Sequence, residues 1–172
     1  VSLHKDLLAQ ARHLCNREPK KPKQASLRRA ISTAYYALFH CFIAGATATL
    51  VPSRHRSLRP LLGRAFTHKG MADACKRLIN HAANPKAMTA FMGAVTCSPA
   101  LLASADAFGE LQQARHEADY NTARRFARSE AIELVELAES AVVAFDAALD
   151  DPHGVLLQLA FLDPNQMIRL GK

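Results

Sequence analysis

Apolar residues recur at three- and four-residue steps along most of the chain, the spacing that gathers them on one face of an α-helix. The first such stretch predicts a helix from about Ser2, a residue type that caps helices, to Arg17, with Leu3, Leu7, Leu8, Ala11, Leu14 and Cys15 on one side. Pro19 and Pro22 stop it, and Lys20, Lys21 and Lys23 form a short charged connector. A second helix is predicted from about Lys23 to Thr49, and its residues sort onto three neighbouring lines. Leu27, Ile31, Ala34, Leu38 and Phe42 make a core stripe; Arg29, Thr33, Tyr36 and His40 make a second line; Arg28, Ser32, Tyr35 and Phe39 make a third. A helix that sets arginine, tyrosine and histidine beside its core stripe either lines a site or packs against a second subunit.

Pro52 ends that helix, and a basic loop from Ser53 to His68 holds one short helix around Leu58 to Phe66. Gly70 precedes another from about Met71 to Ala82, and residues 84–98 read as a turn plus a weak apolar piece. Pro99 fits the first turn of a long helix to about Asp119, with Leu101, Leu102, Ala105, Phe108, Leu111 and Gln112 on its face. Asn121 and Thr122 break the pattern. Ser129 is predicted to cap a helix to about Leu149 whose Ile132, Val135, Ala138, Val142, Phe145 and Leu149 face inward and whose glutamates face water. Asp151 and Pro152 end it, and His153 to Leu162 adds a last short helix. The expectation is an all-α protein, an antiparallel helical bundle with additional short helices, in a single domain over residues 1–172.

Composition agrees: 49% hydrophobic residues with only seven glycines and no tryptophan favours packed helices over strands and turns. Cys15, Cys41, Cys75 and Cys97 lie mostly in apolar stretches and form no Cys-x-x-Cys pair, so they read as reduced thiols of a cytoplasmic protein and not as a zinc ribbon or disulfide framework. His55, His68, Cys75 and His81 are too irregularly spaced for a structural zinc site, and no metal is expected. The apolar run from Ala34 to Val51 is broken by His40 and Gly45 and fits a buried helix better than a membrane span. No signal peptide is visible. No Gly-rich phosphate loop, Gly-x-Ser-x-Gly elbow or His-Glu-x-x-His motif occurs, so no cofactor is called for.

The net charge of +7 is uneven. Residues 130–151 carry seven acidic residues, from Glu130 to Asp151, and no lysine or arginine. Basic clusters stand elsewhere: Arg17 to Arg29, Arg54 to Arg64, and Arg124, Arg125 and Arg128. Such clusters suit a polyanion such as RNA; the alternative is a solvated surface with helix-end charges.

Chemistry concentrates in Arg115-His116-Glu117-Ala118-Asp119-Tyr120, near the end of a predicted helix. Arg115 and Asp119 share a face, as do His116 and Tyr120. On spacing alone Arg115 and Asp119 are either a surface ion pair or part of a site. Upstream, residues 29–40 read Arg-Ala-x-x-x-Ala-Tyr-Tyr-Ala-x-Phe-His. This helix, followed by Arg-x-x-Ala-Asp-Tyr, resembles the HEPN superfamily over about Leu27 to Leu149, Tyr36 and His40 matching one family motif and Arg115, Asp119 and Tyr120 the other.

The resemblance implies an antiparallel helical bundle that commonly dimerises. In many members the Arg-x4-6-His pairs of two subunits meet in a cleft and cut RNA without a metal. There the histidine takes the ribose 2′-hydroxyl proton while the arginine stabilises charge on the phosphate. Some members are toxins paired with a nucleotidyltransferase-like antitoxin; others serve in phage defence or bind RNA or nucleotides. This chain departs from the nuclease pattern at Tyr120, which stands where the catalytic histidine would be. A phenol of pKa about 10 needs a depression of roughly three units to act as a base near neutrality. The candidate catalytic residues are therefore Arg115, Tyr120, His40 and His116, with either histidine as base. Arg115, Asp119, Tyr36, Arg29, Arg124 and Arg125 are the candidate RNA- or nucleotide-binding residues. The other reading is a non-catalytic homodimeric interaction module in which Tyr35, Tyr36 and Phe39 form the dimer seam.

Overall fold

The computed structural model describes residues 2–82 and 97–162. The reading for 84–98 therefore falls, up to residue 96, outside the described residues. The protein is all-α: α1 (Leu3–Asn16), α2 (Gln24–Leu50), α3 (Arg59–Gly63), α4 (His68–Ala82), α5 (Pro99–Tyr120), α6 (Arg128–Ala147) and α7 (Pro152–Ala160). The sole β feature among the described residues is an isolated antiparallel bridge between Phe66 and Leu162.

Several helix ends differ from expectation for local reasons. The short helix expected over 58–66 shrinks to α3 and is preceded by a tighter 3₁₀ segment, Ser53–Leu58. The helix expected from Met71 begins earlier, at His68, because the Thr67 hydroxyl accepts the Gly70 N–H at 3.1 Å and the Thr67 carbonyl accepts that of Met71 at 3.0 Å. Ser129 lies inside the first turn of α6 and does not cap it; the Ala127 carbonyl takes the Ala131 N–H at 3.2 Å. Asp151 caps α7, its Oδ1 accepting the His153 N–H at 2.8 Å with Pro152 in the first turn.

Three arginines close gaps that backbone bonding leaves at chain turns. The last carbonyls of a helix have no intrahelical partner, and a guanidinium with its fan of donors can serve several at once. Arg28 donates to the carbonyls of Ala118 (2.7 Å), Asn121 (3.0 Å) and Arg124, with its guanidinium carbon 5.4 Å from the centre of the Phe126 ring. Arg59 does the same at the end of α2, donating to Val51 (2.8 Å) and Ala48 (3.4 Å). Arg128 donates to the Glu18 and Pro19 carbonyls of the connector after α1. These members of the basic clusters are thus structural.

Contacts group the described residues into two compact units, one within 1–41 and 107–143, the other within 42–106 and 144–172. In the first unit α2 and α5 run antiparallel. Arg28 reaches the end of α5 while Tyr35, further along α2, meets Phe108 of α5 at 5.5 Å. Leu27, Ile31, Ala34 and Leu38 are fully buried, as the stripe on α2 requires, together with Leu111 and Val135. Arg12 of α1 bridges Glu136 (3.3 Å) and Glu139 on α6, so part of the acidic face is neutralised within the unit. In the second unit Phe42 packs between Phe145 (4.2 Å) and Phe161 (5.3 Å). Among the described residues no helix is long and apolar enough to cross a membrane.

Candidate functional site

The antiparallel pairing of α2 with α5 sets Ser32 and Tyr36, one turn apart on α2, against Arg115 and Asp119, one turn apart on α5. The Ser32 hydroxyl donates to Asp119 Oδ1, and Asp119 Oδ2 lies 2.8 Å from Arg115 Nε. That Nε is buried and makes no aligned hydrogen bond, so the carboxylate holds it as an ion pair. Arg115 Nη2 donates to the Tyr36 hydroxyl at 3.2 Å. Nη1 makes no hydrogen bond among the described residues.

Three aromatic rings enclose the guanidinium, whose carbon lies 5.5 Å from the Tyr36 ring centre, 5.8 Å from that of Tyr120 and 5.9 Å from that of Tyr35. The Arg115 side chain retains 19% of its exposure and that of Asp119 27%. Burial works against the charge on Arg115; the Tyr36 oxygen, Asp119 and Tyr120 outweigh it, and the guanidinium is held above its ordinary value. The result is a permanent cation fixed from two helices.

At the outer edge Tyr120 is 64% exposed, and its ring centre lies 5.0 Å from that of the exposed His116. Asp119, Tyr36 and Tyr120 thus surround Arg115, and His116 lies against Tyr120. The other candidates are not among the groups that hold or enclose the guanidinium. His40, half-buried, is edge-on to Phe39 at 5.4 Å, and burial, followed by the charge of His4, lowers its pKa. Arg124 turns away to Glu130 (2.5 Å) and the Phe126 ring (5.1 Å). Arg29 and Arg125 are exposed. Sequence reading did not assign Ser32 to the site; its signal was a small polar residue one turn before Tyr36 on a helix face otherwise given to large side chains.

No family model matches the chain, and neither the curated proteins nor the solved structures hold a match. The resemblance to the HEPN superfamily therefore rests on the two sequence motifs alone.

Two further placements bear on function. Tyr35 is fully buried and Phe39 is 8% exposed, with Tyr35 against Phe108, so these rings pack inside the chain instead of being presented as the expected dimer seam; of the three aromatics only Tyr36 reaches the surface. A recess of about 580 Å³ opens on the other face of α5, away from Arg115. Glu110, Glu117, Glu130 and Glu133 rim it and Leu134 and Leu137 line it, so the described cavity of the first unit is acidic. Among the described residues no group of three or more His, Cys, Asp or Glu is placed to hold a metal ion.

Proposed function

We propose that this chain is a HEPN-type protein that engages RNA or a phosphate-bearing nucleotide at the surface formed by Arg115, Tyr36, Tyr120 and His116. One observation carries the reading. Arg115 is fixed by Asp119 and Tyr36 at Nε and Nη2, with no hydrogen bond from Nη1 among the described residues and the exposed Tyr120 ring 5.8 Å from the guanidinium carbon. A guanidinium oriented in advance loses little freedom when it grips a phosphate, and charge-assisted bonds of this kind are the strong ones. Tyr120 offers a face on which a base can stack.

Should the site cut RNA, the following assignment fits the exposure of His116 and the held Arg115. His116, exposed one turn before Tyr120, takes the proton of the ribose 2′-hydroxyl. The 2′-oxygen attacks the adjacent phosphorus, Arg115 offsets the charge gathering on the phosphate oxygens, and the 5′-oxygen leaves with a proton from water. The products carry 2′,3′-cyclic phosphate and 5′-hydroxyl ends. Such a protein would act in the cytoplasm as a two-fold homodimer and as the toxin of a pair with a nucleotidyltransferase-like antitoxin, or in phage defence.

The Asp119 ion pair favours a second reading, a non-catalytic interaction module. One experiment separates the two: mixed RNA incubated with the protein in EDTA, native against Arg115→Ala. Cleavage or salt-sensitive binding that disappears with the substitution supports the site; RNA left both unbound and uncut by either protein supports the module.

A further inference from the structure

The acidic recess and the segment Ser53–Arg64 have opposite deficits. On the recess rim Glu110 and Glu133 form no ion pair or hydrogen bond among the described residues, while Leu134 and Leu137 line the wall below. The recess already shows its preference for guanidinium: its own Arg124 sits there, paired with Glu130 and lying across the Phe126 ring. The segment buries none of its residues through Gly63, and Leu58 and Leu61 keep 51% and 43% of their exposure. Its Arg54, Arg56 and Arg64 have no acidic partner among the described residues, and the sequence supplies no Asp or Glu between Glu18 and Asp73. Exposed leucines between arginines do not suit a nucleic-acid backbone; they suit a surface that is apolar in the middle and acidic at its edge.

We infer that the α5–α6 recess of one molecule receives the Ser53–Arg64 segment of a second copy, with Leu58 and Leu61 on Leu134 and Leu137 and Arg54 and Arg56 against Glu110 and Glu133. The two surfaces differ, so the contact is head-to-tail, and it continues into short chains unless the geometry closes a ring. This inference is independent of the Arg115 site.

Charge reversal tests it on the full chain. Sedimentation velocity at low salt should show association of the native protein that grows with concentration and is lost at high salt. Arg54→Glu with Arg56→Glu, and separately Glu110→Arg with Glu133→Arg, should each lose this salt-sensitive growth with concentration. An equal mixture of the two variants should associate again, because each then meets a complementary surface. All four positions lie on the surface, and circular dichroism confirms that both variants fold. A native protein that stays monomeric overturns the inference. So does association, including a two-fold dimer, that neither reversal weakens, or a mixture that fails to recover. Loss of RNA binding by the arginine variant with association unchanged marks the segment as a polyanion surface and equally overturns it.

Discussion

At the scale of single residues, Asp119 decides what Arg115 is for. If the carboxylate only neutralises a half-buried cation, removing it costs stability and changes nothing else. If the guanidinium is a phosphate ligand held in place, Asp119→Asn costs on the order of 1 kcal/mol of stability yet tightens phosphate binding, because the competing anion is gone. Urea denaturation and phosphate-dependent fluorescence of the same variant read both effects; a stability loss with unchanged affinity returns Arg115 to a structural role. His40 gives a pH signature. Burial, then His4, holds its pKa below the ordinary 6.5, so between the two values the unfolded chain binds more protons than the folded one. Stability is therefore complete above about pH 6.5 and declines as pH falls through that window. His40→Gln should flatten the decline in denaturation midpoints measured across the window; an unchanged slope excludes His40 as its source.

At the scale of elements, the periodicity of apolar positions foretold the long helices because burial of one stripe is what selects them, and Leu27, Ile31, Ala34 and Leu38 are buried as that stripe demands. Ends were less legible. Whether Thr67 or Gly70 opens α4, and whether Ser129 caps α6 or sits within it, depends on carbonyl and hydroxyl partners that periodicity does not encode. The arginines were least legible, since a cluster in sequence looks the same whether it faces phosphate or, like Arg28, Arg59 and Arg128, closes backbone carbonyls. A close approach at α7 yields a sharper test. A Cβ on Gly154 would stand 2.1 Å from the Ala148 carbonyl oxygen, and backbone cannot yield as a flexible side chain can. Gly154→Ala should therefore destabilise by about 1–3 kcal/mol. A melting temperature equal to that of the native protein would show that the turn between α6 and α7 relaxes freely.

At the scale of the whole molecule, the structural use of arginine bears on how strongly this protein can hold RNA. The formal charge of +7 invites a steep electrostatic interaction, but Arg12 and Arg124 are paired with glutamates and Arg28, Arg59 and Arg128 are bonded to backbone carbonyls. Of the candidate arginines in the same unit as Arg115, Arg29 and Arg125 are exposed. With about three phosphates engaged, the logarithm of affinity for single-stranded RNA should fall against the logarithm of salt with a slope near −2. Each lost contact should lower that slope by about 0.7. Arg115→Ala should reduce both affinity and slope, whereas Arg124→Ala, which removes a cation already committed to Glu130, should leave both nearly unchanged. Titration of a labelled RNA at several salt concentrations measures the three slopes. A slope several times steeper would mean that the arginines bonded to carbonyls are released on binding; equal slopes for the native protein and Arg115→Ala would remove Arg115 from the interface.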